Sequence, residues 1–302
     1  MNLALEHFEN GNTKYALKDY QGAIKDYDKA IELYPTYEVY HNRGSAKSML
    51  QDHKGAKIDY TNAIENNPNE IASYYNRAIT KTKLNDNWGA LVDYNKVIEL
   101  NPKYKDAYCN RGDVKFNLKD YEGAMMDYNK ALEINHYDTE AYNNIGNLKY
   151  DQKDYEEALK NYDIAIKIDP GCRPLYFNRG NTKYNLNDLR GAISDFDKAI
   201  ELDNQDKESY NNRGVTKAKQ QNFHGAIADC TKAIKINPKY ANAYYNRGNA
   251  KLDLKDYQGA VEDYKRAIDI EPELEKAINN REIARDRGKD ILKDVADYEL
   301  SM

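Results

Sequence analysis

The sequence predicts an all-α fold: a solenoid of eight tandem helix-turn-helix units closed by a C-terminal capping helix. Two superimposed grids carry that expectation. Glycine recurs every 34 residues at Gly112, Gly146, Gly180, Gly214 and Gly248, with Gly44 on the same grid and Ala78 standing in once. Alanine follows these positions by twelve residues, at Ala56, Ala90, Ala124, Ala158, Ala192, Ala226 and Ala260, with Ala23 in the unit before. A fixed period of this length marks a stack of like supersecondary units, each with a small core of its own.

Each unit reads as two amphipathic helices around a short turn. In the unit ending at His136 the turn is Lys119-Asp120-Tyr121. Tyr108, Gly112 and Lys115 share one face of its first helix, and Tyr121, Ala124, Tyr128, Ala131 and Ile134 share one face of its second. A mid-helix glycine costs up to about 1 kcal/mol against alanine, so its recurrence implies close approach of a neighbouring helix. Proline ends the second helix at Pro35, Pro68, Pro102, Pro170, Pro238 and Pro272, replaced by His136 and Asn204 in the other two units. The units fall at residues 4–36, 37–70, 71–104, 105–138, 139–172, 173–206, 207–240 and 241–274, read as one domain over residues 1–302 with a cap at 275–302. The cap keeps Asn280 and Arg281 but places Glu282 at the glycine position and Asp294 at the alanine position. It is expected to dock one face and wet the other, with a bend at Gly288 and a straight run both open.

Composition narrows the function. The charged fraction is 31% and the mean hydropathy is -0.97, but 28 tyrosines in register supply amphipathic bulk that disordered chains lack. A net charge of -5 with both signs interspersed argues against nucleic acid, which needs clustered cations. No run approaches the roughly 20 apolar residues that span a bilayer. No basic-then-apolar leader follows Met1, so the expectation is a soluble protein, cytoplasmic by default and exported only if a signal has been removed. Cys109, Cys172 and Cys230 match no zinc spacing and read as reduced thiols. No nucleophile-base pair, phosphate loop or ligand cluster is recognisable, so neither an enzyme nor a cofactor or metal is expected.

The first-helix aromatic, glycine, turn tyrosine, alanine, tyrosine, alanine and proline at these offsets resemble the tetratricopeptide repeat family, in its bacterial Asn-Arg-Gly form, over nearly the whole chain. Departures are local: His7 replaces the first aromatic, Asn87-Trp88 alters the third turn, and Cys230 replaces a second-helix tyrosine. The resemblance implies a right-handed superhelix whose first helices line a concave side, with a protein or peptide as partner.

At about 100° per residue, positions six, three and two before the glycine and one, four and five after it form one stripe. Asparagine sits two before the glycine position at Asn42, Asn76, Asn110, Asn144, Asn178, Asn212 and Asn246, then at Asn280 in the cap. Such a ladder can hydrogen-bond the main chain of an extended peptide, as asparagine does here in the peptide-binding members the chain resembles; a common solvated choice is the alternative. Tyr75, Phe177 and Tyr245 before the glycine position, Phe116, Tyr150 and Tyr184 after it, and Asn147, Asn181 and Asn249 beside them complete the candidate groove, with inter-repeat packing as the alternative for each ring. Asp106, Asp113, Glu140 and Asp151 favour a basic ligand. Lysine never stands three before the glycine, so the carboxylate clamp of chaperone-binding members is not expected.

Arg43, Arg77, Arg111, Arg179, Arg213 and Arg247 point to the opposite flank, and their units carry Asp59, Asp93, Asp127, Asp195, Asp229 and Asp263. The unit with Ile145 has Asn161. This joint loss predicts a salt bridge within each hairpin, Arg111 contacting Asp127. The leading function is a non-catalytic scaffold that binds a peptide or partner segment in its groove. The alternative is an assembly subunit joined through its ends or convex surface, with Ile291, Leu292 and Val295 as candidate tail contacts.

Overall fold

A computed structural model describes the backbone of residues 2–301 and the side chains of residues 2–289. Sixteen helices follow one another as eight helix-turn-helix segments: α1 (Asn2–Ala16) then α2 (Tyr20–Leu33), α3 (Tyr37–Met49) then α4 (His53–Asn66), α5 (Ile71–Lys83) then α6 (Asn87–Leu100), and α7 (Lys105–Asn117) then α8 (Tyr121–Ile134). They continue as α9 (Thr139–Asp151) then α10 (Tyr155–Ile168), α11 (Arg173–Asn185) then α12 (Leu189–Leu202), α13 (Lys207–Lys219) then α14 (Phe223–Ile236), and α15 (Ala241–Asp253) then α16 (Tyr257–Ile270). The last helix is α17 (Glu275–Ser301). The chain divides into two compact units, Met1–Leu148 and Lys149–Met302. Within them, second helices pack on the first helix of the next repeat, α2 on α3, α4 on α5 and α6 on α7 in the first unit, α10 on α11, α12 on α13 and α14 on α15 in the second.

The hairpin turn is built from two devices. The second residue after each first helix is left-handed, with φ of 59° to 65° at Lys18, Gln51, Asn85, Lys119, Lys153, Asn187, Gln221 and Lys255. The second helix then begins on a side-chain cap, Asp120 accepting from the Gly123 amide at 2.9 Å. A Cβ on Gly123 would overlap that carboxylate. Where Glu157 stands at the equivalent place, the bond from its amide to Asp154 lengthens to 3.3 Å.

Grid glycines admit an aromatic ring from the other helix of their own repeat, except Gly214, which faces the Cys230 sulfur. A Cβ on Gly112 would lie 2.6 Å from Tyr128, one on Gly180 2.9 Å from Phe196, and one on Gly248 2.8 Å from Tyr264. These rings are buried, as are Tyr27, Tyr60, Tyr94 and Tyr162 at the same place in other hairpins.

Beside the ring position of seven repeats lies a buried carboxylate, and in six of them an arginine fork holds it. Arg111 Nε donates to Asp127 at 2.9 Å and its Nη2 at 2.5 Å. Arg43, Arg77, Arg179, Arg213 and Arg247 grip Asp59, Asp93, Asp195, Asp229 and Asp263 in the same bidentate way. The remaining Nη1 reaches back to the second helix of the preceding hairpin, to Asp28, Thr61, Asn95, Asp163, Asp197 or Thr231. A lysine that the helical pattern placed on the packing face completes the cluster, Lys115 Nζ lying 2.8 Å from Asp127. Lys47, Lys81, Lys183, Lys217 and Lys251 repeat that contact. In the first hairpin, with Asn10 in place of arginine, Lys14 holds Asp26 at 2.6 Å.

The cap runs as one helix through Gly288. Ala277 and Ala284 are fully buried beside Tyr264 and Ala267, while Glu275, Lys276 and Asp286 are exposed. No second helix supplies Arg281 with an aspartate; Glu282 accepts from Arg281 at 3.1 Å and from Arg285 at 3.0 Å instead. The side chains of Ile291, Leu292, Asp294 and Val295 lie outside the described residues.

Two stability predictions follow from these contacts. Replacing Arg111 by Ile leaves Asp127 buried beside Lys115 alone and lowers stability by about 2–3 kcal/mol in chemical unfolding, and adding Asp127→Asn recovers most of the loss by reproducing the Ile145 and Asn161 pair. Gln51→Gly and Gln221→Gly relieve the left-handed turns and each raise the thermal midpoint, an effect of about 0.5–1 kcal/mol.

Candidate peptide-binding face

The first helices position the expected stripe. Every asparagine of the ladder is half-buried. Its amide nitrogen donates to the preceding hairpin: Asn42 to Asn12 at 2.8 Å, Asn144 to Asp113 at 2.8 Å, Asn212 to Asn181 at 2.9 Å, and Asn280 to Asn249 at 2.9 Å. The acceptor is the residue directly after the preceding glycine. Where that residue is Ile79 or Val215 the amide turns elsewhere, Asn110 to the Tyr75 hydroxyl at 2.8 Å and Asn246 to Asn211 at 2.9 Å. Asn76 lies 3.5 Å from His41 Nε2, and Asn147 and Asn178 also engage partners. The acceptors further receive the buried ring hydroxyls, Tyr27 to Asn12, Tyr128 to Asp113 and Tyr264 to Asn249, each at 2.8 Å. Each such rung therefore ties two successive first helices to one second helix. A ligand at these rungs meets amides whose first N–H is already donated within the chain.

The aromatic candidates are half-buried and packed on one side. Tyr75 stacks 5.0 Å from Tyr104, Phe116 5.6 Å from Tyr121, Tyr150 5.5 Å from Tyr155, Phe177 6.1 Å from Phe196 and Tyr245 6.0 Å from Tyr264. Lys219 and Lys276 place their ammonium groups 4.5 and 4.7 Å from the Tyr184 and Tyr245 rings. Tyr150, Asn181, Tyr184 and Asn212 converge on a cavity of about 230 Å³ in the second unit. Asn42 lines a smaller one of about 190 Å³ with Asn12 and Tyr15 in the first. Both have room for a side chain.

Asp113 departs from the pattern of the acceptors. The other units carry Asn12, Ser45, Ile79, Asn147, Asn181, Val215 and Asn249 at its position, all neutral. Burial pushes its carboxyl up to about 6, against the Tyr128 hydroxyl that favours the ionised form, and Glu140 adds to the rise. Cys109, Asp138 and Glu140 bring possible metal-ligand atoms within 4.8 Å of one another. However, Lys105 Nζ already neutralises Asp138 at 2.6 Å, and burial pushes the Cys109 thiol far up. The trio fits an ion-paired cluster better than a metal centre.

Family models for the tetratricopeptide repeat match residues 4–37, 37–70, 106–138, 139–172, 174–206, 208–240 and 241–274, and a TPR repeat model matches 80–119. Sequence comparison with curated proteins gives no match. Among solved structures, the chain is similar to YrrB, described as a TPR protein with an unusual peptide-binding site, at 25% identity over 63% of this chain and 97% of that one, with a TM-score of 0.52. It also resembles a tetratricopeptide repeat protein from Parabacteroides merdae, at 22% identity over 94% and 100% of the two chains, with a TM-score of 0.60. Part of the APC/C hetero-tetramer Cut9-Hcn1 matches at 15% identity, over 88% of this chain and 52% of that one, with a TM-score of 0.66. Among the described residues, no helix is long and apolar enough to cross a membrane.

Because the folded-state Asp113 carboxyl titrates at about 6 rather than 3.8, its charge opposes folding. The opposition is absent below the unfolded value and complete above the folded one, so stability falls as pH rises between them. Asn12 and Asn249 make the same rung without charge. Asp113→Asn is therefore expected to raise stability at neutral pH by about 1–3 kcal/mol and to flatten that window in unfolding measured across pH.

Proposed function

We propose, from the premise that this chain belongs to the tetratricopeptide repeat family of protein-interaction scaffolds, that its first-helix face binds an extended peptide or partner segment bearing basic residues, without catalysis. The observation that supports this most is Asp113. A half-buried carboxylate at a position that is neutral in the other seven repeats opposes folding, and groups kept at such a cost are concentrated at functional sites. Asp106 and Glu140, at equivalent places in consecutive first helices, add charge of the same sign. The half-buried rings and the small cavities beside the asparagine rungs supply apolar seats between hydrogen-bonding groups, the usual division of labour in recognition of extended peptides. The peptide-binding site named for YrrB is consistent with this reading.

Selection from a random peptide display library tests it. Enriched peptides are expected to carry lysine or arginine, to bind more weakly as salt rises, and to lose about tenfold in affinity to a folded Asp113→Asn, Glu140→Gln variant. Absence of any enriched sequence, or binding indifferent to both salt and the variant, would refute the reading.

A further inference from the structure

Second helices turn one side outward, and its composition changes along the chain. Two residues after the grid alanine lies a position exposed in all eight hairpins. It holds Lys25, Lys160, Ser194, Ala228 and Glu262, but Ile58, Val92 and Met126 in three consecutive hairpins of the first unit. Those three side chains are 58%, 65% and 68% exposed, and Trp88, the chain's one tryptophan, is 73% exposed. Trp88 precedes Val92 by four residues on α6, which places both on one side of the helix. At the Trp88 position the flanking hairpins carry exposed Lys54 on α4 and Glu122 on α8. The row Ile58, Val92, Met126 with Trp88 at its centre presents on the order of 500 Å² of apolar surface, near the most that monomers leave uncovered.

We propose that this row is a self-association surface, on which a second copy of the chain docks about a two-fold axis parallel to α6. Such an axis keeps helix direction and reverses hairpin order. Trp88 and Val92 then meet themselves on the axis, Ile58 meets Met126 of the second copy, and Lys54 meets Glu122 of the second copy on both sides. The patch is thus complementary to itself in both apolar contact and charge, which favours a second copy over an unrelated partner. Farther along, Glu65 faces Glu133 and Glu99 meets its own copy on the axis, where Lys130 bridges Glu133 at 2.6 Å and Lys96 bridges Glu99 at 2.5 Å. Two such faces bury on the order of 1,000 Å², the lower bound for a specific interface, so the dimer forms reversibly and with concentration. It uses the outward side of second helices and does not depend on the peptide reading of the first.

Sedimentation velocity on the intact chain over two decades of concentration tests the dimer, with Trp88 emission recorded in parallel. A reversible monomer–dimer shift is expected, accompanied by a blue shift as Trp88 is covered. Val92→Glu weakens it about tenfold or more, Lys54→Glu also weakens it, and adding Glu122→Lys to Lys54→Glu restores it. All three positions are exposed, and circular dichroism verifies that the variants fold. A chain that remains monomeric throughout, as it would if the patch served a different protein, overturns the proposal. So does a dimer that survives Val92→Glu, or a charge swap that restores nothing.

Discussion

The aspartate buried in the second helix of seven of the eight repeats, with Asn161 in the fifth, is the constraint on which the rest of the structure depends. A carboxylate taken out of water must be paired and hydrogen-bonded or it unfolds the element that carries it. Here Asp127 receives two N–H groups from Arg111 and the ammonium of Lys115, all from the first helix of its own hairpin. That fixes how the two helices lie on each other. The third arm of the guanidinium then donates to Asn95 on the helix before, so the group that satisfies one hairpin also sets the next in place. A lysine could not make both contacts, because only the planar fork donates in two directions from a fixed geometry.

The asparagine rungs are a second joint on the opposite flank of the first helix. Asn144 reaches Asp113 of the preceding hairpin, which also takes the Tyr128 hydroxyl, and Tyr128 lies against the bare backbone of Gly112. Glycine, tyrosine, acceptor and asparagine are thus one connected device. The stack is held on both flanks by polar contacts of defined direction, while alanine and aromatic packing fill the space between. This accounts for a strongly hydrophilic sequence that still builds a regular helical array.

Much of this was legible in the sequence. Period and helical spacing located all eight hairpins, and the joint replacement at Ile145 and Asn161 revealed the arginine–aspartate pair, because two groups that exist for each other are lost together. The lysine of the same cluster recurs as regularly, at Lys47, Lys81 and Lys115 among others, but a lysine on a helix face also reads as solvated, and only burial of its partner distinguishes the two cases. The direction of each asparagine was legible while its partner was not. A single helix gives the angle of a side chain about its own axis, whereas the 2.8 Å contact from Asn42 to Asn12 depends on the offset between successive hairpins. The left-handed turn residues left no mark because lysine, glutamine and asparagine occupy them in place of glycine.

In an array of this kind, recurrence and function separate. A residue repeated at every period answers a need that every hairpin has, and the arginine, aspartate, glycine and asparagine columns are all accounted for by stacking. What stacking does not require is a charge at Asp113, where Asn12 and Asn249 make the same bonds, or Trp88 and Val92, flanked by Ile58 and Met126, on an outward side that in the other five repeats is polar or small. The first opposes folding and the second leaves apolar surface in water, so neither is favoured by the stability of an isolated chain. Both lie within hairpins three and four, one on a first helix and the other on a second helix. A scaffold whose joints are uniform can vary such positions without disturbing its stack, and it is on them, against the regularity of the repeat, that both proposals rest.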